Sequence, residues 1–563
     1  MTNPTWQDKC AAKQAEAASK IPVEWRLSAE ILQKVNNNEL KILDVPAKCG
    51  ILTKEELGIT EIADATILRD KLAARELSAI DVATAFCKRA GIAQQVTSCL
   101  TETMFSQAII RAKELDEHIE TTGKPIGPLH GVPISLKETF NIKGVHTCLG
   151  FTSFLDREPV THNSVLVDIL LQAGAVLYVK TNVPQTMMTA DSHNNVFGRV
   201  KNPHRDTLTA GGSSGGEGAL VAMRGSILGI GTDIAGSIRI PALCCGTVGF
   251  KPSVGRVPYA GQTSSGRPGM TGIAPSAGPL CHSMRDAEML LRLVFNAASD
   301  DNDDMALAFP WMEPTQAAPQ QLIIGVMPED PKTPLHPNMQ RTLRGAIEKL
   351  ENAGHHIVDL SKQMHFLEAA ADLAFKFFRI DPDQTALQNI RKSGEPAIPS
   401  LRFTYDVDGT PKEPTLRGLF DLNVGRAEIM AKMRQVFLDN QLHLIIGPGY
   451  QSTAVPHDTF GVPVYTVIAN LVDVCFLISF VENSANSKYQ VSRMRYSPWL
   501  LPGNRRCQVR ARRELLSSLS PQGSRKCPLP CTAYRSSPEG RGAAPACADC
   551  GGDFGQVMHT SSS

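Results

Sequence analysis

Two early windows place apolar residues at helical spacing. Within residues 78–93, Ile80, Val82, Ala83 and Phe86 share one face. Within residues 106–119, Ala108, Ile109, Ala112 and Leu115 do the same. Residues 11–20 lack such a stripe but are rich in Ala, Glu and Lys, strong helix formers. Residues 1–75 therefore read as a helical, surface-facing N-terminal segment. A third helical window, SVLVDILLQAGA, is followed by AVLYVKTN, which has strand character. From 320 to 460 the alternation returns. QLIIGVM and LHLIIGPG read as buried strands, and RTLRGAIEKLENAG as a helix with Gly354 near its C-cap. Helix and strand in alternation predict α/β layering.

Between 210 and 279 this texture breaks. The chain there is crowded with Gly and Ser. A flexible linker would have that composition, but ALVAMRGSILGIGTDI, which follows at once, has buried-helix and strand character. The phosphate-loop pattern Gly-x4-Gly-Lys-Ser/Thr is absent. Ser237 stands in Ala-Gly-Ser-Ile-Arg, which is not the Gly-x-Ser-x-Gly elbow. What remains is backbone in unusual conformations that presents its N–H groups to something.

Composition narrows the class. The 563 residues are 42% hydrophobic and 20% charged, with a net charge of +1. That describes a globular protein with a large core, and gives no reason to expect nucleic acid or anionic membrane as partner. The N-terminus lacks the apolar stretch of a signal peptide. The most apolar later stretch, residues 465–481, carries Asn470 and Asp473 and reads as core, not a membrane span. A cytoplasmic protein is expected. Of 14 cysteines, eight are scattered between Cys10 and Cys281, as suits small buried hydrophobes in a reducing compartment. Outside the C-terminal tail no His/Cys/Asp cluster has metal-ligand spacing, and no cofactor is expected.

GGSSGGEGAL at 211–220 and GTDIAGSIRIPALCCGTVGFKP at 231–252 resemble the two blocks of the amidase signature. Upstream, LHGVPISLKETFNIKG at 129–144 resembles the family's Gly-x-Pro-x-x-x-Lys-Asp/Glu stretch. The resemblance runs through most of residues 60–290 and more loosely to about 473. It includes the KIPVEWRL segment of fungal acetamidase-like members and a core similar to that of fatty acid amide hydrolase. It implies an α/β amidase-signature fold, a large mixed β-sheet sandwiched between helices. It further implies that Ser237 is the acyl-enzyme nucleophile, that Ser213, reached through a cis peptide, is the relay, and that Lys137 is the general base. The backbone N–H groups of Ile234, Ala235, Gly236 and Ser237 would form the oxyanion hole, and Met187 would contact substrate.

The chemistry of these residue types is consistent with those roles. A serine hydroxyl needs a base to become nucleophilic. Lysine serves only when neutral, so burial must lower its pKa from about 10.4. A bridging hydroxyl can accept from one side and donate to the other. Thr232, Asp233 and Arg239 read as supports, the last two as a structural ion pair. A Ser-His-Asp triad would instead need His130, His146, His162, His193 or His204 aimed at Ser237. The neighbouring Ser214 competes with Ser213 for the relay, and the spacing to Ser237 favours Ser213.

Beyond Asp473 nothing of the family is recognisable. Residues 493–563 carry a net +7, five of the cysteines and much Ser, Pro and Gly. This tail resembles translation in a wrong frame, as after a retained intron. Plain disorder, a basic nucleic-acid-touching tail and a zinc module at Cys527-x3-Cys531 and Cys547-x2-Cys550 compete with that reading. The expected organisation is an N-terminal helical segment at 1–75, an amidase-signature domain at 76–473 and a non-family tail at 474–563. The expected reaction is hydrolysis of a small aliphatic, acetamide-like monoamide to carboxylate and ammonia. The alternatives are an inactive or misfolded homologue and a glutamine-amide-hydrolysing amidotransferase subunit.

Overall fold

A computed structural model describes residues 4–297, 299–313, 319–407, 413–483 and 487–495. Its centre is an eleven-stranded mixed sheet. In chain order the strands are β1 (Leu100–Thr103), β2 (Pro133–Lys137), β3 (Val176–Thr181), β4 (Leu228–Asp233), β5 (Val248–Lys251), β6 (Ser276–Cys281), β7 (Ile323–Val326), β8 (His356–Asp359), β9 (Leu444–Gly447), β10 (Cys475–Asn483) and β11 (Ser487–Arg495). Across the sheet they run β1-β3-β2-β4-β6-β5-β10-β11-β9-β7-β8. β2 is parallel to both β3 and β4, and β7 is parallel to β8 and β9. The central β4-β6-β5-β10 run is antiparallel.

The expected α/β layering is therefore present, with helices at Ala79–Thr97, Phe105–Thr122, Val165–Gln172 and Pro337–Asn352 where the apolar spacing placed them. Gly354 follows the last of these with a φ of 85°, the left-handed turn that ends a helix at glycine.

Residues 4–75 are largely helical but not surface-facing throughout. Val45, Leu68 and Leu72 are buried in the same core as the sheet, and the buried Lys13 pairs with Glu102 of β1 at 2.5 Å. The reason is that short helices rich in Ala and Lys can still bury single aliphatic side chains, which composition does not reveal.

The sheet also continues past residue 473. Lys251 at the end of β5 is fully buried and donates to the Val474 carbonyl at 3.1 Å. The Asp473 carboxylate accepts from the Val254 N–H at 2.9 Å. β10 then pairs with β5 and β11 with β9, so both lie inside the segment expected to be non-family tail. The zinc, disorder and wrong-frame readings of residues 496–563 lie outside the described residues. No helix among the described residues is long and apolar enough to cross a membrane.

Candidate active site

β2 and β4 lie side by side, with Leu136 opposite Ile230. That register brings Lys137, the last residue of β2, beside Thr232 near the end of β4. The face of β4 can accept a helix closely because Gly229 puts no side chain there. A Cβ on Gly229 would lie 2.1 Å from the Glu217 carboxylate, so the Gly215–Ala222 helix can press its Glu217 against the strand. The loop entering this helix carries Ser213, after a cis Gly212–Ser213 peptide. The turn leaving β4 carries Ser237.

Lys137 is 0% exposed. Its Nζ lies 2.7 Å from Ser213 Oγ and 2.8 Å from Thr232 Oγ1. Burial drives its pKa down to about 7, against the opposing charges of Asp233 and Glu217. Near neutral pH a large share of the amine is then uncharged and able to take a proton. Glu217, fully buried nearby, is pushed up to about 7 by burial, in spite of hydrogen bonds from Ser135 and Thr181 at 2.6 and 2.9 Å. Ser214 makes a different set of contacts. Its hydroxyl faces the Thr232 backbone, and its N–H donates to the Ser237 carbonyl at 3.1 Å. Lys137 therefore selects Ser213 over its neighbour.

Ser213, Thr232, Ile234, Ser237 and Met187 line one cavity of about 1160 Å³. Ile234, Ala235, Ser237 and Met187 also line a second cavity of about 30 Å³. No histidine lines either cavity. His130 accepts the Ile126 N–H, His204 bonds to the Cys245 carbonyl and His193 lies beside Arg199. The triad with histidine thus has no geometric support.

The turn holding Ser237 is tied down by one carboxylate. Asp233 accepts from the Gly236 N–H at 2.8 Å, the Ile238 N–H at 3.0 Å, and Arg239 Nε and Nη2 at 3.0 and 2.9 Å. The Gly236 N–H thus donates to Asp233 in a strong charge-assisted bond, and that carboxylate competes with any oxyanion for this donor. No side-chain acceptor among the described residues takes the N–H of Ile234, Ala235 or Ser237. Burial raises the Asp233 carboxyl, but the Arg239 charge and hydrogen bonds outweigh it and hold the group far below the usual carboxylate range.

Two residues that sequence reasoning passed over complete the brace. Thr466 Oγ1 donates to the Ala235 carbonyl at 2.7 Å. Asn470 donates to Asp233 Oδ1 at 3.0 Å and accepts from Arg239 at 2.7 Å. Gly236, with φ of 132°, has no room for a Cβ, which would meet Thr466 Oγ1 at 2.4 Å. Nothing local to DIAGSIR signals partners more than 200 residues away. The only hint was a polar Asn470 inside an apolar stretch.

A buried amine thus meets the Ser213 hydroxyl, and Ser213 and Ser237 line the same cavity. That contact allows a proton to pass between the Ser213 hydroxyl and the Lys137 amine.

Known proteins resemble this chain in sequence and fold. The amidase family model matches residues 81–494, past the 473 boundary expected from sequence. An amidase of Gibberella moniliformis is 37% identical over 84% of this chain and 89% of its own length. An acetamidase of Aspergillus oryzae is 36% identical over 84% and 87%. Among solved structures, a fatty acid amide hydrolase superposes with a TM-score of 0.81 at 28% identity, covering 88% of this chain and 92% of that one. The chain belongs to the amidase family of amide-hydrolysing enzymes.

Proposed function

We propose that the chain hydrolyses a carboxylic monoamide with a short aliphatic acyl group, through a Ser237 acyl-enzyme that Lys137 activates by way of Ser213. The observation that carries this reading is the wholly buried Lys137 amine 2.7 Å from Ser213 Oγ, at the cavity that Ser237 shares.

In the first step neutral Lys137 accepts the Ser213 proton while Ser213 accepts the proton of Ser237. Ser237 Oγ bonds to the amide carbon, and the carbonyl π pair moves to oxygen. The N–H groups of Ile234, Ala235 and Ser237 are the donors at hand for that oxyanion, and one such donor is worth roughly 3 kcal/mol. Ser213 then gives its proton to the amide nitrogen and is reprotonated by Lys137. The C–N bond breaks and the amine leaves. Water attacks the ester by the same relay, releasing carboxylate and restoring Ser237. The Asp233–Arg239 pair holds the turn and takes no part in proton transfer.

The short acyl group is supported by the acetamidase of Aspergillus oryzae among the relatives. The test is ammonia release from acetamide by the full chain. Release that disappears in Ser237→Ala supports the reading. Equal release in the variant, or none from a cooperatively folded wild type, contradicts it.

A further inference from the structure

The two cavities meeting at Ser237 differ about fortyfold in volume, at about 1160 and 30 Å³. An amide has two arms, acyl and amine, and each must occupy one side of the nucleophile. The proton route decides which. The amide nitrogen leaves only after protonation, so it must come within hydrogen-bond reach of the relay hydroxyl. Ser213 lines the large cavity and is not among the residues of the small one. The amine arm therefore enters the large cavity, and the acyl arm enters the small one.

Resting on the Ser237 reading, we propose that the substrate is an N-substituted short-chain amide, with an acyl group of about two or three carbons and a bulky apolar or aromatic amine.

The sizes agree with this. A cavity needs about 10–15 Å³ for each water-sized group, so the small one has room for about two. Ile240, Phe375, Phe403 and Phe460 are among the residues that line it. It accepts the methyl of an acetyl group and is blocked to a long chain. The large cavity exceeds the range of about 300–1000 Å³ common for drug-sized ligands. Tyr259, Phe377, Tyr405 and Leu419 give it apolar and aromatic walls, alongside the charged Arg267 and Asp381. Acetamide would leave nearly all of it filled with water, and that space yields binding energy only to a substrate with a large amine.

Isomeric substrates test the assignment. N-benzylacetamide and 3-phenylpropanamide contain the same atoms, with the ring on the amine side in one and the acyl side in the other. N-methylacetamide and propanamide are a small isomeric pair, and their ratio removes the intrinsic difference between secondary and primary amides. The expected result is a kcat/KM ratio for the benzyl pair roughly tenfold or more above that of the small pair, in favour of N-benzylacetamide. An equal or lower ratio overturns the proposal while leaving the Ser237 reading intact. Turnover that survives Ser237→Ala overturns the reading and the proposal together. Phe403→Ala, which enlarges the small cavity, should bring the ratio back towards that of the small pair. A ratio unmoved in a folded variant places the acyl arm elsewhere and contradicts the assignment.

Discussion

The strands on either side of the sheet serve the site differently. The part from β1 to β6 buries charge. Lys137, Glu138, Lys180, Glu217, Asp233, Arg239 and Lys251 are all essentially out of water there. Lys180 and Glu138 face each other at 3.3 Å. The part from β7 to β9 carries an exposed apolar helix face. Leu416, Phe420 and Val424 of the Leu416–Asp439 helix stand largely in solvent. Together with the segment that follows β9, it supplies walls to both cavities and the Thr466 and Asn470 braces. Desolvated charge is costly unless partnered, so its concentration in one region supports the proposal that Lys137 and Ser213 work there. The other region is left to set which amides fit.

The largest effects should come from the first region and fall on every substrate alike. Ser237→Ala removes the nucleophile and is expected to lower kcat by roughly 10⁴-fold or more, read from single-turnover rates. Lys137→Met and Ser213→Ala each remove a member of the relay. Losses of about 10²–10⁴-fold are expected, and the double variant should lose little beyond the worse single one. A fully additive double variant would break the relay.

Asp233→Ala should cost about 3–5 kcal/mol, because it leaves Arg239 charged and buried. Equilibrium urea unfolding checks this, and an unchanged midpoint would remove the brace from the account. The second region should behave otherwise. Phe403→Ala is expected to change selectivity between acyl and amine bulk by about tenfold, with far less change in the best substrate than Ser237→Ala causes. A uniform loss would erase the distinction between the regions.

The smallest effect concerns pH. Lys137 acts only when deprotonated, and its folded pKa lies near 7. Therefore kcat/KM should rise through about pH 7 and level off above it. Glu217 raises the Lys137 pKa, so Glu217→Gln should move this limb to lower pH. Because the two groups interact, the limb belongs to the pair. A limb that moves to higher pH would contradict the electrostatics.

The same division explains what the sequence made legible. Lys137, Ser213, Thr232, Asp233, Ser237 and Arg239 lie within about 100 residues, on strands and turns whose glycines are visible as letters. Their convergence follows from adjacent parallel strands. The use of the Gly236 N–H was not legible, since a carboxylate three residues back competes for it only in the folded turn. Thr466, Asn470 and the phenylalanines of the small cavity come from distant elements with no motif of their own. Their positions depend on how helices pack across the sheet. The continuation of the sheet past residue 473 was not legible for a related reason: β10 and β11 join it by backbone pairing with β5 and β9, which needs no recognisable side-chain pattern.

The central claim is that Ser237, deprotonated through Ser213, carries the acyl group. The direct measurement is acid quench during turnover of N-benzylacetamide, followed by mass spectrometry of the proteolysed chain. The account predicts one acetyl group, on the peptide bearing Ser237, with none in Ser237→Ala. An acetyl group on the Ser213 peptide, or turnover that continues in Ser237→Ala, would contradict it.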